Sequence, residues 1–118
     1  MPSLFEVSAG KLAGPTTGGT VTQATNKTTG VTLNTESGQI TMNNAALGAA
    51  AEASFTVTND KIAATDVVVV NHGSGGTAGS YLVGVTAIAA GSFEITVTNV
   101  SGGSLSEAIV LNYKIIKG

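Results

Sequence analysis

The single histidine, His72, lies in the run Asn71-His72-Gly73-Ser74-Gly75-Gly76-Thr77-Ala78-Gly79, close to Ser74 and downstream of Asp66. On paper a Ser/His/acid relay can be assembled from these three. Such a relay is defined by geometry, and no nucleophile-elbow motif surrounds Ser74 to support one. Turn chemistry accounts better for a run this rich in glycine. The same run lacks the Gly-Lys-Ser/Thr ending of a phosphate loop and leads into no helix, so no aligned row of amides is expected to hold an anion.

Metal chemistry finds equally little. Zinc needs several Cys or His ligands, and the chain has one His and no Cys. Asn59, Asp60 and Asp66 are close in sequence, but they do not follow the spaced acidic pattern of a calcium loop and read as a solvated polar segment. Glu6, Glu36, Glu52, Glu94 and Glu107 are dispersed, with no carboxylate pair for sugar hydrolysis. The sequons at Asn26-Lys27-Thr28 and Asn99-Val100-Ser101 carry no weight, because Met1 to Gly10 lacks a basic segment followed by a long apolar one and no signal peptide is expected. The expectation is a protein with no cofactor, no metal and no small-molecule substrate, and not an enzyme.

The elements that would position these residues are strands. A chain of 118 residues fits one domain. With 16 Gly, abundant Thr and Asn, and only 10% charged residues, it is poor in helix formers and rich in residues for pleated surfaces and tight turns. Period-2 alternation between turn clusters predicts eight strands: Thr20 to Thr25, Val31 to Asn34, Gln39 to Met42, Ala53 to Thr58, Val67 to Asn71, Ser80 to Ala87, Phe93 to Thr98 and Ala108 to Ile116. The fold class expected is all-β, an antiparallel β-sandwich or jelly roll. Residues 1–19 form an N-terminal arm and residues 20–118 the domain.

Several finer expectations follow. Phe93, Ile95 and Val97 face the core, opposite Glu94, Thr96 and Thr98. In the last strand Ile109, Leu111, Tyr113 and Ile115 share one face, and Val110, Asn112, Lys114 and Ile116 the other. The run Val67, Val68, Val69 and Val70 has no polar side, so both its faces should be covered, by the molecule's own second sheet and loops or by another subunit. Asn44 to Ala51 reads as a helical turn or a crossover, and the Gly-rich run as a wide hairpin. Thr56-Val57-Thr58-Asn59 echoes Thr96-Val97-Thr98-Asn99, which repeated turn chemistry explains as well as duplication does.

Charge excludes one class of partner. A net charge of −2 with five scattered lysines gives no basic footprint for nucleic acid. No apolar run reaches membrane-spanning length.

Some stretches are familiar. Thr29-Gly30-Val31-Thr32-Leu33-Asn34, then Ser37-Gly38-Gln39-Ile40-Thr41-Met42-Asn43-Asn44-Ala45-Ala46-Leu47, then Ser54-Phe55-Thr56-Val57-Thr58-Asn59 resemble small structural proteins of tailed-bacteriophage virions. The resemblance continues through Ala64 to Asn71, the Gly-rich run, Gly91-Ser92-Phe93 and Ser104 to Ala108 to the C-terminus, covering roughly residues 19–118. It implies a head decoration (cement) protein: a homotrimer on the outer capsid surface that clamps major capsid protein subunits, made in the host cytoplasm. Leu4, Phe5 and Val7 of the arm are then candidates for capsid binding. Val67, Val68, Val69, Val70, Val110 and Ile116 are candidates for the subunit interface. The alternative is a receptor-binding or fibre-tip module presenting Asn71 to Gly79 and Val100 to Glu107.

Overall fold

The computed structural model describes residues 18–118; residues 1–17 of the expected arm, with Leu4, Phe5 and Val7, lie outside them, and Gly19 already belongs to the first strand. Eight strands and no helix occur in the described part: β1 (Gly19–Thr22), β2 (Val31–Thr32), β3 (Ser37–Thr41), β4 (Glu52–Thr58), β5 (Val67–Ser74), β6 (Tyr81–Ala89), β7 (Ser92–Asn99) and β8 (Val110–Ile116). They form two four-stranded sheets, ordered β1-β3-β8-β5 and β2-β4-β7-β6. Each expected strand has a counterpart, with ends moved by a few residues. β1 ends three residues early, at Thr22, and β5 runs three residues on, to Ser74, through a bulge between His72 and Ser74.

The sheets are mixed, which corrects the antiparallel expectation. β1 pairs parallel with β3, and β2 parallel with β4. The cause is the path of the chain: from β1 to β6 every connection carries it to the other sheet. Two crossings between neighbours return a strand in its original direction. Among the described residues only β6 and β7 form a hairpin, closed by Ala90 and Gly91, where Gly91 takes the positive φ (85°) that the tight turn requires. The Gly-rich run is therefore not a hairpin, since β5 and β6 belong to different sheets. Asn44 to Ala51 is likewise a crossover with no helical turn.

Alternation sets the core. One sheet contributes Ile40, Val68, Leu111, Tyr113 and Ile115, and the other Val31, Phe55, Val57, Tyr81, Phe93, Ile95 and Val97, all buried in a single cluster. The Phe93 and Tyr113 rings meet across it at 5.3 Å. Full burial of such side chains stabilises by about 1.5–3 kcal/mol each, and this apolar contribution does most to hold the two sheets together.

The echoed Asn residues hold the ends. Asn59 and Asn99 close β4 and β7, which run antiparallel to each other, and both are fully buried. Asn59 accepts from Lys61 N (2.8 Å) and donates to Thr35 O (2.8 Å). Asn99 accepts from Ser101 N (2.9 Å) and donates to Leu47 O (2.8 Å) and Gly103 O (2.9 Å). Each side chain turns the chain out of its strand and ties the turn to a distant loop.

Candidate functional site

The residues singled out for a relay are not brought together. Asp66 precedes β5 and Ser74 ends it. The Asp66 carboxylate accepts from Lys117 Nζ (2.5 Å), Ala63 N (2.8 Å) and Gly118 N (3.0 Å). The Lys117 bond and the two amides hold its pKa down at about 2. His72 Nε2 lies 2.6 Å from Gly75 O and 3.1 Å from Ser74 O, so it bonds carbonyls of its own loop and not the Ser74 hydroxyl. Of the calcium candidates, Asn59 is committed to its turn, and Asp60 lies 3.7 Å from Lys61. Among the described residues no group of three or more His, Cys, Asp or Glu could hold a metal ion.

The Gly-rich loop is fixed by a carboxylate. Glu107 accepts from Thr77 N (2.9 Å), Thr77 Oγ1 (2.8 Å) and Tyr81 Oη (2.8 Å). The Thr77 hydroxyl, then the Tyr81 hydroxyl, then the Thr77 amide lower the Glu107 pKa against its partial desolvation. Burial, then Glu107 itself, pushes the Tyr81 hydroxyl up to about 12. His72 stacks edge-on against Tyr81 at 5.6 Å. Gly76 must be glycine here, since its φ is +69° and a Cβ would meet Ile109 Cγ2 at 2.6 Å. The loop and the Val100 to Glu107 segment thus share one end of the molecule, where Val100 N also donates to Ser80 O (2.9 Å).

Beneath that end lies a polar hub that sequence reasoning missed. Lys27 is buried, and its Nζ donates to the carbonyls of Asn43 and Glu107. Burial lowers its pKa, and Glu107 partly offsets this. Gln23, also buried, donates to Lys27 O (3.1 Å) and Thr29 O (3.0 Å) and accepts from Asn43 N (3.0 Å). Nothing in a Thr- and Asn-rich stretch marks one lysine for burial.

The proposed interface residues divide between two faces. In β5, Val68 is buried and Val70 partly so, while Val67 and Val69 are 54% and 48% exposed. Of the two covers expected for this run, the domain's own sheet and loops do not supply the outer one among the described residues. β5 is an edge strand, and its outer face has nothing over it among the described residues. Ile116, directly opposite Val67 in the β5–β8 register, is 48% exposed, and Val110 is partly buried. Val67, Val69 and Ile116 form one apolar patch at the edge of an outer face whose remaining β8 residues include Asn112 and Lys114. Leu82, 66% exposed on β6, an edge strand of the second sheet, was also missed. The alternation Tyr81, Val83, Val85 in and Leu82, Gly84, Thr86 out was the signal that could have found it.

No known protein family, curated protein or solved structure matches the chain.

Proposed function

We propose that the two sheets make a β-sandwich that serves as a structural part of a virion: a homotrimeric capsid decoration protein on the outer head surface, stabilising contacts between major capsid protein subunits. The chain switches sheets as a jelly roll does, and departs from that topology in its two parallel pairs. The observation that carries the assembly reading is the patch of Val67, Val69 and Ile116 at an edge that is unpaired among the described residues. Monomers blunt such edges with charge, proline or bulges, and the Val67 to Asn71 part of β5 has none of these. Covering a half-exposed Val or Ile contributes about half of the 1.5–3 kcal/mol of full burial, repeated in every subunit. The resemblance of residues 19–118 to phage structural proteins supplies the particle.

The test is addition of purified protein to heads that lack it, followed by sedimentation and cryo-electron microscopy. Density on the outer capsid surface supports the reading. A protein that stays in the supernatant and is absent from purified virions overturns it. The meeting of the Gly-rich loop and the Val100 to Glu107 segment at one end favours a second reading, a receptor-binding or fibre-tip module. Blocking of phage adsorption by added protein would support that reading instead.

A further inference from the structure

We propose that the apolar patch of Val67, Val69 and Ile116 on one subunit is covered by a second, different patch on the next copy of the chain, made by Leu82 and Val100. The inference rests on the assembly reading above and names the two surfaces that meet.

Three observations converge on this pairing. The first is how the exposed apolar side chains are grouped. Among the described residues the large ones are Val67, Val69, Leu82, Val100 and Ile116, and they fall on the outer faces of different sheets. Val67 and Ile116 are direct partners in the β5–β8 ladder, and Val69 follows on the same face of β5. Leu82 is opposite Thr98 in the β6–β7 ladder. The bond from Val100 N to Ser80 O continues that ladder, so Val100 sits diagonally beside Leu82 on one face. The pairwise contact in a threefold ring is heterologous: a patch of one subunit meets a different patch of the next, whereas a patch that meets its own copy pairs subunits by a twofold. The chain presents the two patches that a ring needs.

The second is position. β5 ends the order of one sheet and β6 that of the other, and a groove between them is lined by Val68 and Val85. Both patches therefore flank the same side of the molecule, and that side turns toward the axis of the ring. Val67 and Val68 lie level with Val85 to Ile88, and His72 with Tyr81, so Leu82 is displaced along the strands from Val67. For the patches to meet by rotation alone, the strands are inclined to the axis.

The third is charge. The described strands of the β5 sheet carry one lysine, Lys114, and no carboxylate, while those of the β6 sheet carry Glu52 and Glu94 and no lysine. Lys114 is exposed directly opposite Val69. Glu52 is exposed opposite Thr98, in the row that runs on to Leu82. One patch thus has a cation at its margin and the other an anion. Joining unlike patches brings Lys114 toward Glu52. Joining two copies of the Val67 patch would bring Lys114 toward Lys114, a like-charge approach that disfavours the twofold contact.

The experiment is complementation between two full-length variants, read as molar mass by light scattering. Leu82→Lys with Val100→Lys should be monomeric, as should Val69→Lys with Ile116→Lys, both with the circular dichroism of wild type. Mixed one to one, each variant keeps the patch that the other has lost, so the mixture should reach twice the 11.6 kDa chain mass. A monomeric wild type overturns the assembly reading itself. A trimeric wild type whose Leu82 and Val100 variant stays trimeric, or a mixture that stays at the monomer mass, overturns only the pairing of the patches. Charge reversal leaves the apolar residues in place and gives a second readout. Glu52→Lys and Lys114→Glu should each raise the concentration at which the trimer dissociates by about five-fold or more, and the two together should restore it to within about two-fold of wild type. A double variant no better than either single one overturns the pairing.

Discussion

Asp66 shows how one side chain can tie the start of a strand to the last residues of the chain. Its carboxylate ties the start of β5 to Lys117 and Gly118. A carboxyl held at about 2, against about 4 when unfolded, contributes stability that is fully present above pH 4. That stability is lost as pH falls through 2. Urea unfolding at pH 5 and at pH 2 should therefore show a smaller acid loss in Asp66→Asn than in wild type. Equal losses would mean that the Lys117 contact is not maintained in solution. Asn59 and Asn99 make a matched pair of tests. Asn59→Ala and Asn99→Ala each remove partners from several buried polar groups, and each should cost at least about 2 kcal/mol in chemical denaturation. The exposed Thr58→Ala should stay within about 0.5 kcal/mol. The repeated Thr-Val-Thr-Asn string was visible in the sequence, but its meaning was not. A buried Asn that bonds both its own turn and a remote carbonyl depends on which loop the fold places beside it.

At the scale of elements, strand positions were legible because period-2 alternation is local. Sheet membership was not, because it depends on where each connection goes. A strand followed by a polar loop reads the same whether the chain folds back as a hairpin or crosses to the facing sheet. The Gly-rich run illustrates this. The sequence marked a turn, and Glu107, 30 residues from Thr77, decides how the turn is held. Glu107→Gln keeps the size of the side chain but removes its charge, weakening the bonds from Thr77 and Tyr81. Limited proteolysis should then cut within Gly75 to Ser80 several-fold faster than in wild type, with thermal unfolding changed little. An unchanged cleavage rate would show that the loop's glycines and Ile109 hold it without the carboxylate. The valine run exposed a different limit. With four valines in a row no face carries a polar marker, and only the edge position of β5 reveals that Val67 and Val69 face outward.

For the molecule as a whole, β4 and its connection to β5 match β7 and its connection to β8. Each pair starts in one sheet, turns at a buried Asn and crosses to the other, and the matching strands pair antiparallel, β4 with β7 and β5 with β8. This near-twofold arrangement stops at the edge. β8 has β3 on its other side, and β5 has nothing there among the described residues. Val67, Val69 and Ile116 lie on the outer face of that sheet, which nothing covers among the described residues, and this exposed apolar patch is the structural reason for reading the chain as a part of an assembly. The most direct test is the molar mass of the full-length protein by light scattering, for wild type and for Val69→Lys with Ile116→Lys. The wild type should have three times the 11.6 kDa chain mass, and the double variant should be a folded monomer with unchanged circular dichroism. A wild type that is monomeric at every concentration, or a double variant that remains trimeric, would contradict the assembly reading.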